Sequence, residues 1–383
     1  MREAAKATVA FGSCSKANRY REQPVWKAIQ AEEPTHLVLL GDQIHMDFGL
    51  LGLYRPARWP IERFRDEMHR RYALQWAVPQ LREFLAAARL PPECIFMTWD
   101  DHDFAWNNAV GGRVGKNTRK PYAVDAAHRD VSEALAMQYL EALRSRPLAY
   151  PVCPAHFPVA RGIHATGTIA QVPIFVLDTR SFCDHPTGGG SVLGDAQERW
   201  LADRLALLPP EQPIIVASGL TLGNGRMLSH HRTAMEEFVD HRLAEAEAWN
   251  ERQEAVALLS RLFAERKVLW LSGDIHVNAF VTHVLEGSSL PVREAVSSGL
   301  AVRGYKPGWW GEQRNFGLVR LYDDRWEVEL HCVAKGIVEM RSIDLDTWVS
   351  TRMIPGHALP VWRMDAALGG ISRRATGSAG SSR

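Results

Sequence analysis

Cysteine, aspartate and histidine, the side chains that most often hold metal ions, recur in this chain directly after short apolar runs. Gly12-Ser13-Cys14-Ser15 closes the first run, Gly41-Asp42-Gln43-Ile44-His45 the second and Trp99-Asp100-Asp101-His102-Asp103 the third. Ser272-Gly273-Asp274-Ile275-His276 closes a later one. Each piece alone is ordinary, since Gly-Asp after a strand is a common turn. Asp100 to Asp103, in contrast, makes a poor strand end without a cationic partner. Carboxylates crowded together repel and raise one another's pKa unless cations neutralise them. Two ions ~3.5–4 Å apart can share an Asp, hold a hydroxide between them and bind phosphoryl oxygens. The set therefore predicts a dinuclear centre that hydrolyses a phosphate ester.

Such a centre needs a scaffold that brings distant segments to one rim. In an open α/β sheet, ligands sit beyond the carboxyl ends of the strands, where the loops converge. The runs from Ala7 to Ser13, His36 to Gly41, Cys94 to Asp100, Pro173 to Asp178, Pro213 to Ser218 and Lys267 to Gly273 read as buried strands. Amphipathic stretches from Pro60 to Ala88, Val124 to Leu143, Asp195 to Leu207 and Ser229 to Glu265 read as helices between them. This alternation predicts a layered α/β fold. Beyond Asp274, strand-like segments follow one another with little helix, which predicts a second sheet of largely antiparallel strands. No composition break marks a linker, so residues 1–365 read as one catalytic domain. From Ala366 the chain is small, polar and glycine-rich, the composition of a flexible tail over 366–383.

The balance of 45 basic and 44 acidic residues in 383 leaves a net charge of +1, so no overall field points to nucleic acid or an anionic membrane. No stretch approaches the ~20 apolar residues of a membrane span, and the start has no apolar export core. A cytoplasmic location is the expectation. Five scattered cysteines, an odd number, do not favour a disulfide framework.

Taken in order, these motifs resemble the metallophosphoesterase superfamily and, within it, the PhoD-like alkaline phosphatase D family. The resemblance rests on Ser13-Cys14, Gly41-Asp42-Gln43-Ile44-His45, Trp99-Asp100-Asp101-His102-Asp103 with Asn107-Asn108, Leu177-Asp178-Thr179-Arg180 and Gly273-Asp274-Ile275-His276. With Ser297-Ser298-Gly299 and Asn315-Phe316-Gly317 it spans roughly Phe11 to Gly317. It implies a four-layer α/β/β/α sandwich of two packed mixed sheets. It also implies Cys14 and His276 as ligands of one metal, Asp42 as the bridge, and Asp101 and Asp274 as ligands of the second. His102 matches the histidine near the leaving-group oxygen, and Arg180 the phosphate clamp. His45 stands where the family has a tyrosine that binds ferric iron, and Asp103 where it has Glu. Imidazole suits Zn, Fe or Mn, and the resemblance implies two or more metal ions with Fe, Zn, Mn and Ca as candidates. Val216-Ala217-Ser218-Gly219 lacks the further histidine that many metallophosphoesterases carry there.

The resulting expectation is a small phosphate-ester substrate, with Arg180, Asn107 and Asn108 contacting phosphate and His102 assisting the departing oxygen. Asp103 or another carboxylate would fix the His102 tautomer. A different reading is a catalytically weak relative that uses the metal site to bind a phosphorylated ligand. Gly188-Gly189-Gly190 and Gly111-Gly112 read as loops without the residues of a P-loop. Trp309-Trp310 reads as a buried aromatic pair, His230-His231 as surface, and Arg113, Lys116, Arg119 and Lys120 as a solvated loop.

Overall fold

The computed structural model describes residues 3–47, 56–116, 122–145, 162–186, 190–223, 248–302, 314–354 and 361–364. Gly188, Gly189, Trp309, Trp310, Arg119, Lys120, His230, His231, Cys153, the tail 366–383 and the first part of the helix expected from Ser229 lie outside them.

Fourteen strands are described, linked in one hydrogen-bonded network that divides into two seven-stranded sheets joined by a single short strand pairing. The first contains β1 (Ala7–Ser15), β2 (His36–Leu40), β3 (Ile95–Thr98), β10 (Asn315–Leu321), β11 (Arg325–Cys332), β12 (Gly336–Asp344) and β13 (Ser350–Arg352), in the order β13-β12-β11-β10-β1-β2-β3. The second contains β4 (Ala165–Ile169), β5 (Val172–Val176), β6 (Ile214–Ser218), β7 (Val268–Ser272), β8 (Asn278–Leu285), β9 (Val292–Ala301) and β14 (Val361–Met364). Its order is β4-β5-β6-β7-β9-β8-β14. Both are mixed, with parallel and antiparallel neighbours in each.

Alternation along the strands builds the layers, because successive side chains point to opposite faces. Val9 and Phe11 of β1, Val38 and Leu40 of β2, and Phe96 of β3 join Ile174, Val176, Ile215, Leu269 and Leu271 from the other sheet in one central core. The residues between them, Ala10, Leu37, Leu39 and Met97, face outward onto a helical layer. That layer holds α1 (Val25–Ala31), α2 (Ile61–Trp76), α3 (Pro79–Ala88), the single turn α4 (Asp101–Phe104) and α5 (Ala126–Arg144). On the far side, Phe175, Val216 and Trp270 pack on α6 (Gly194–Ala206) and α7 (Gln253–Phe263). The result is the α/β/β/α sandwich, and the central strands of each sheet are buried on both faces, which explains their near-continuous apolar sequence.

The segments after Asp274 differ from expectation. They do not make a second sheet of their own. β8 and β9 extend the sheet of β5, β6 and β7, whereas β10 to β13 extend that of β1. Strand-type sequence fixes which residues pair but carries no record of which of two similar apolar edges a hairpin will join.

The sheets touch through one short parallel contact, Ser13 opposite Ser298 and Ser15 opposite Ala301, with the register slipping in between. β1, β2 and β3 run parallel, β1 is parallel to β9, and β9 is parallel to β7. The carboxyl ends of β1, β2, β3 and β7 therefore open on the same side, at the seam between two sheets rather than at the rim of one.

Candidate metal centre

The loop geometry at that seam is unusual. The backbone has positive φ at Cys14 (62°), Asp42 (54°), Asp274 (69°) and His276 (56°). Non-glycine residues held there store strain of order 1–3 kcal/mol each, and such residues concentrate at functional sites. Gly41, at φ 90°, precedes Asp42 because a Cβ there would meet the backbone nitrogen of Asp100 at 2.5 Å. The glycine lets the ends of β2 and β3 close up and so sets Asp42 beside Asp100 and Asp101.

Three groups of potential ligands result, each with its donor atoms within 4.8 Å of one another: Cys14, Asp42 and His276; Asp42, His45 and His102; and Asp42, Asp100, Asp101 and Asp274. Asp42 belongs to all three. The six residues expected as ligands thus come together, and Asp100, which the sequence reading left without a role, joins them.

Hydrogen bonds fix their orientation. Cys14 Sγ lies 3.4 Å from Asp42 Oδ2 and 3.1 Å from Ser298 Oγ. His45 Nδ1 lies 3.2 Å from the Ser15 carbonyl, leaving Nε2 at 3.7 Å from Asp42 Oδ2. An Nδ1–H donated to that carbonyl keeps an Nε2 lone pair for an ion, the usual arrangement of a metal-binding histidine. Asp101 accepts the N–H of His102 at 2.9 Å on Oδ1 and that of Asn108 at 2.6 Å on Oδ2.

His102 stacks on His45 with ring centroids 4.3 Å apart. Its Nδ1 lies 2.7 Å from Asp47 Oδ1, and Asp47 Oδ2 accepts the N–H of Asn107 at 3.0 Å. Asp47 is therefore the carboxylate that orients His102. Asp103 is not: it accepts backbone N–H groups of Asp100 at 2.6 Å and Gln43 at 3.0 Å, tying the loops after β2 and β3 together. Asn107 and Asn108 are also tied in, with Asn107 Nδ2 donating to Asn108 Oδ1 at 2.7 Å.

Arg180 is fully buried, not open to solvent. Its Nε and Nη2 both lie 2.6 Å from Asp100 Oδ1, and Nη2 lies 3.9 Å from Asp101 Oδ1. The guanidinium stands behind the carboxylates as a brace. Below it, Asp178 accepts the N–H groups of Arg180 at 3.0 Å, Ser181 at 2.9 Å and Ile163 at 3.0 Å, the indole N–H of Trp99 at 2.7 Å and the Ser181 hydroxyl at 2.6 Å. Leu177-Asp178-Thr179-Arg180 is thus a buried anchor. Removing one partner of a buried ion pair costs about 3–5 kcal/mol, because the other charge is left uncompensated. Arg180→Ala is expected to lower stability by that order in urea melts, and to lose metal with it. A stable, metal-replete variant with only a raised KM would restore Arg180 to the role of phosphate clamp.

Electrostatics point to cations. Burial pushes the Asp42 and Asp100 carboxyls well above their usual range, with neighbouring carboxylates adding to it. Burial raises the Cys14 thiol, helped by Asp42. Burial, then the nearby His102 and Lys16, takes His276 down to about 3, and burial with His102 lowers His45 strongly. Without a cation, every one of these groups is driven toward its neutral form. His102 is the exception: burial opposes its charge, but Asp101, Asp47 and Asp42 hold its pKa well up.

The donor set fits bound metal. Asp100 Oδ2 is buried with no hydrogen-bond partner, a costly orphan that a cation would satisfy. The groups with Cys14 and His276 and with His45 and His102 carry the sulfur and nitrogen donors that suit a transition metal, and the carboxylate-only group suits a harder ion.

The fold has a solved counterpart. A structure of PhoD superposes with a TM-score of 0.59 over 92% of this chain and 72% of that one, at 16% identity. A protein from Streptococcus pneumoniae, described as a conserved uncharacterized protein and predicted phosphoesterase, aligns more loosely, with a TM-score of 0.28 at 9% identity over 91% of this chain and 97% of that one. No curated protein matches the chain. The model of the PhoD-like phosphatase family, however, matches residues 9–307, a span that includes every candidate ligand from Cys14 to His276, and by that match the chain belongs to the PhoD-like phosphatases.

Proposed function

We propose that this protein hydrolyses phosphate esters at the seam of its two sheets, with two metal ions held on either side of Asp42. The single observation that carries this reading is the presence of the Asp42 carboxylate in all three ligand groups. Cys14, His45 and His276 would complete one ion's shell, with Fe, Zn or Mn as candidates. Asp100, Asp101 and Asp274 would complete the other's, where Ca or another hard ion also fits. When bound, such a pair supplies positive charge for the phosphoryl oxygens and a water acidic enough to be deprotonated near neutral pH.

The chain's own residues do the rest. His102, a member of the group with Asp42 and His45 and held through Nδ1 by Asp47, would donate a proton to the departing oxygen. Arg180 keeps Asp100 oriented, and Asn107 and Asn108, bonded to Asp47 and Asp101, are the candidates for contact with phosphate. The substrate is a small phosphate ester, either a monoester or a diester. Among the described residues no helix is long and apolar enough to cross a membrane.

Elemental analysis of the purified protein, paired with phosphate release over a panel of mono- and diesters, tests the proposal. Two ions per chain and chelator-sensitive turnover are expected. Bound metal without hydrolysis of any ester would instead favour a relative that binds a phosphorylated ligand.

A further inference from the structure

Ser298 lies on β9 where the two sheets meet, and none of the roles described above involves it. It is fully buried, and its hydroxyl touches two candidate ligands of the same ion. The His276 N–H donates to Ser298 Oγ at 2.9 Å, and Ser298 Oγ lies 3.1 Å from Cys14 Sγ. A serine hydroxyl has one proton to give. The His276 amide takes up acceptor capacity, and a thiolate has no proton to offer. Once Cys14 is deprotonated to bind metal, the Ser298 proton must therefore point at sulfur. Ser13 Oγ, at 3.4 Å, is a longer second donor to the same atom.

The local backbone is arranged for this contact. Ser13 pairs with Ser298 and Ser15 with Ala301, so β1 advances two residues while β9 advances three. Irregularities of this kind re-aim a side chain. Here the slip falls at Cys14, whose positive φ turns Sγ toward β9. One hydroxyl thus links a ligand from the first sheet to the loop that carries a ligand from the second.

We propose that Ser298 is the positioning residue of the Cys14 thiolate, holding sulfur and the His276 loop in the arrangement that a metal ion requires. This rests on the two-ion reading above and adds to it a residue that touches neither ion nor substrate. Partners of this type change metal affinity by about 10- to 100-fold when lost.

Cobalt(II) loaded into the otherwise metal-free full-length chain supplies a readout independent of activity, because thiolate coordination gives a charge-transfer absorption band. Ser298→Ala is expected to shift that band and to release cobalt to a chelator about 10- to 100-fold faster than the wild type. Ser298→Thr, which keeps the hydroxyl, is expected to restore both, and thermal melting of each variant checks that it is folded. A folded Ser298→Ala protein with an unchanged band and unchanged release overturns the assignment and leaves the two-ion reading standing. A wild-type protein with no thiolate band, indistinguishable from Cys14→Ser, overturns both.

Discussion

Asp42→Asn is expected to abolish turnover. The change keeps the shape of the side chain and removes the one charge common to all three ligand groups. A metal pair contributes several kcal/mol of transition-state charge stabilisation, and ~4 kcal/mol corresponds to about 10³ in rate. The expected loss in kcat/KM is therefore at least about 10³-fold, with metal content falling from two ions per chain. The fold should survive, because burial already pushes the Asp42 carboxyl toward its neutral form when no cation is present, and a neutral amide resembles that form. Inductively coupled plasma analysis and phosphate release on the same samples decide the matter. Near-normal activity after chelation and metal resupply would end the two-ion scheme.

The second large effect concerns His102 and its partner Asp47. A proton donor contributes about 10²–10⁴-fold, and its value depends on how badly the departing oxygen needs a proton. His102→Gln is accordingly expected to slow hydrolysis of alkyl phosphate esters by that factor. Esters of p-nitrophenol, whose oxygen departs readily as an anion, should be slowed far less. Asp47→Asn should show the same dependence in weaker form, since the 2.7 Å contact to Nδ1 orients the ring and the amide only partly replaces it. Both variants should keep their metal. Equal losses on both ester types, accompanied by loss of metal, would instead make His102 a ligand beside His45 and Asp42, a placement that the grouping of these three residues permits.

Much of the scaffold was legible because its strands are buried on both faces. Runs such as Val268–Ser272 and Ile214–Ser218 have no polar face to blur them. The elements that escaped sequence reading are short or exposed. β4 (Ala165–Ile169) is a largely exposed edge, β13 has three residues, and α1 is seven residues long without a side-chain cap. The candidate ligands were readable because they follow directly after strands. Asp47 was not, because its relation to His102 spans 55 residues and is made by loop packing rather than by a motif. The only signal for it was an unassigned carboxylate two residues after His45. Arg180 was visible as a motif residue, but burial decides whether an arginine braces a neighbour or meets a ligand, and spacing does not report burial.

The weave of the two sheets bears on how the molecule is made. β1 precedes the other described strands in the chain and sits in the interior of its sheet, between β2 and β10. Ala7 pairs with Leu321, so that neighbour is synthesised only after β4 to β9 of the other sheet have emerged. Until then one edge of the nascent β1 hangs open and apolar, the condition that makes non-local β topologies slow to mature and prone to clumping. The seam that gathers the candidate ligands, which draws on both sheets, is consequently slow to settle into its final form.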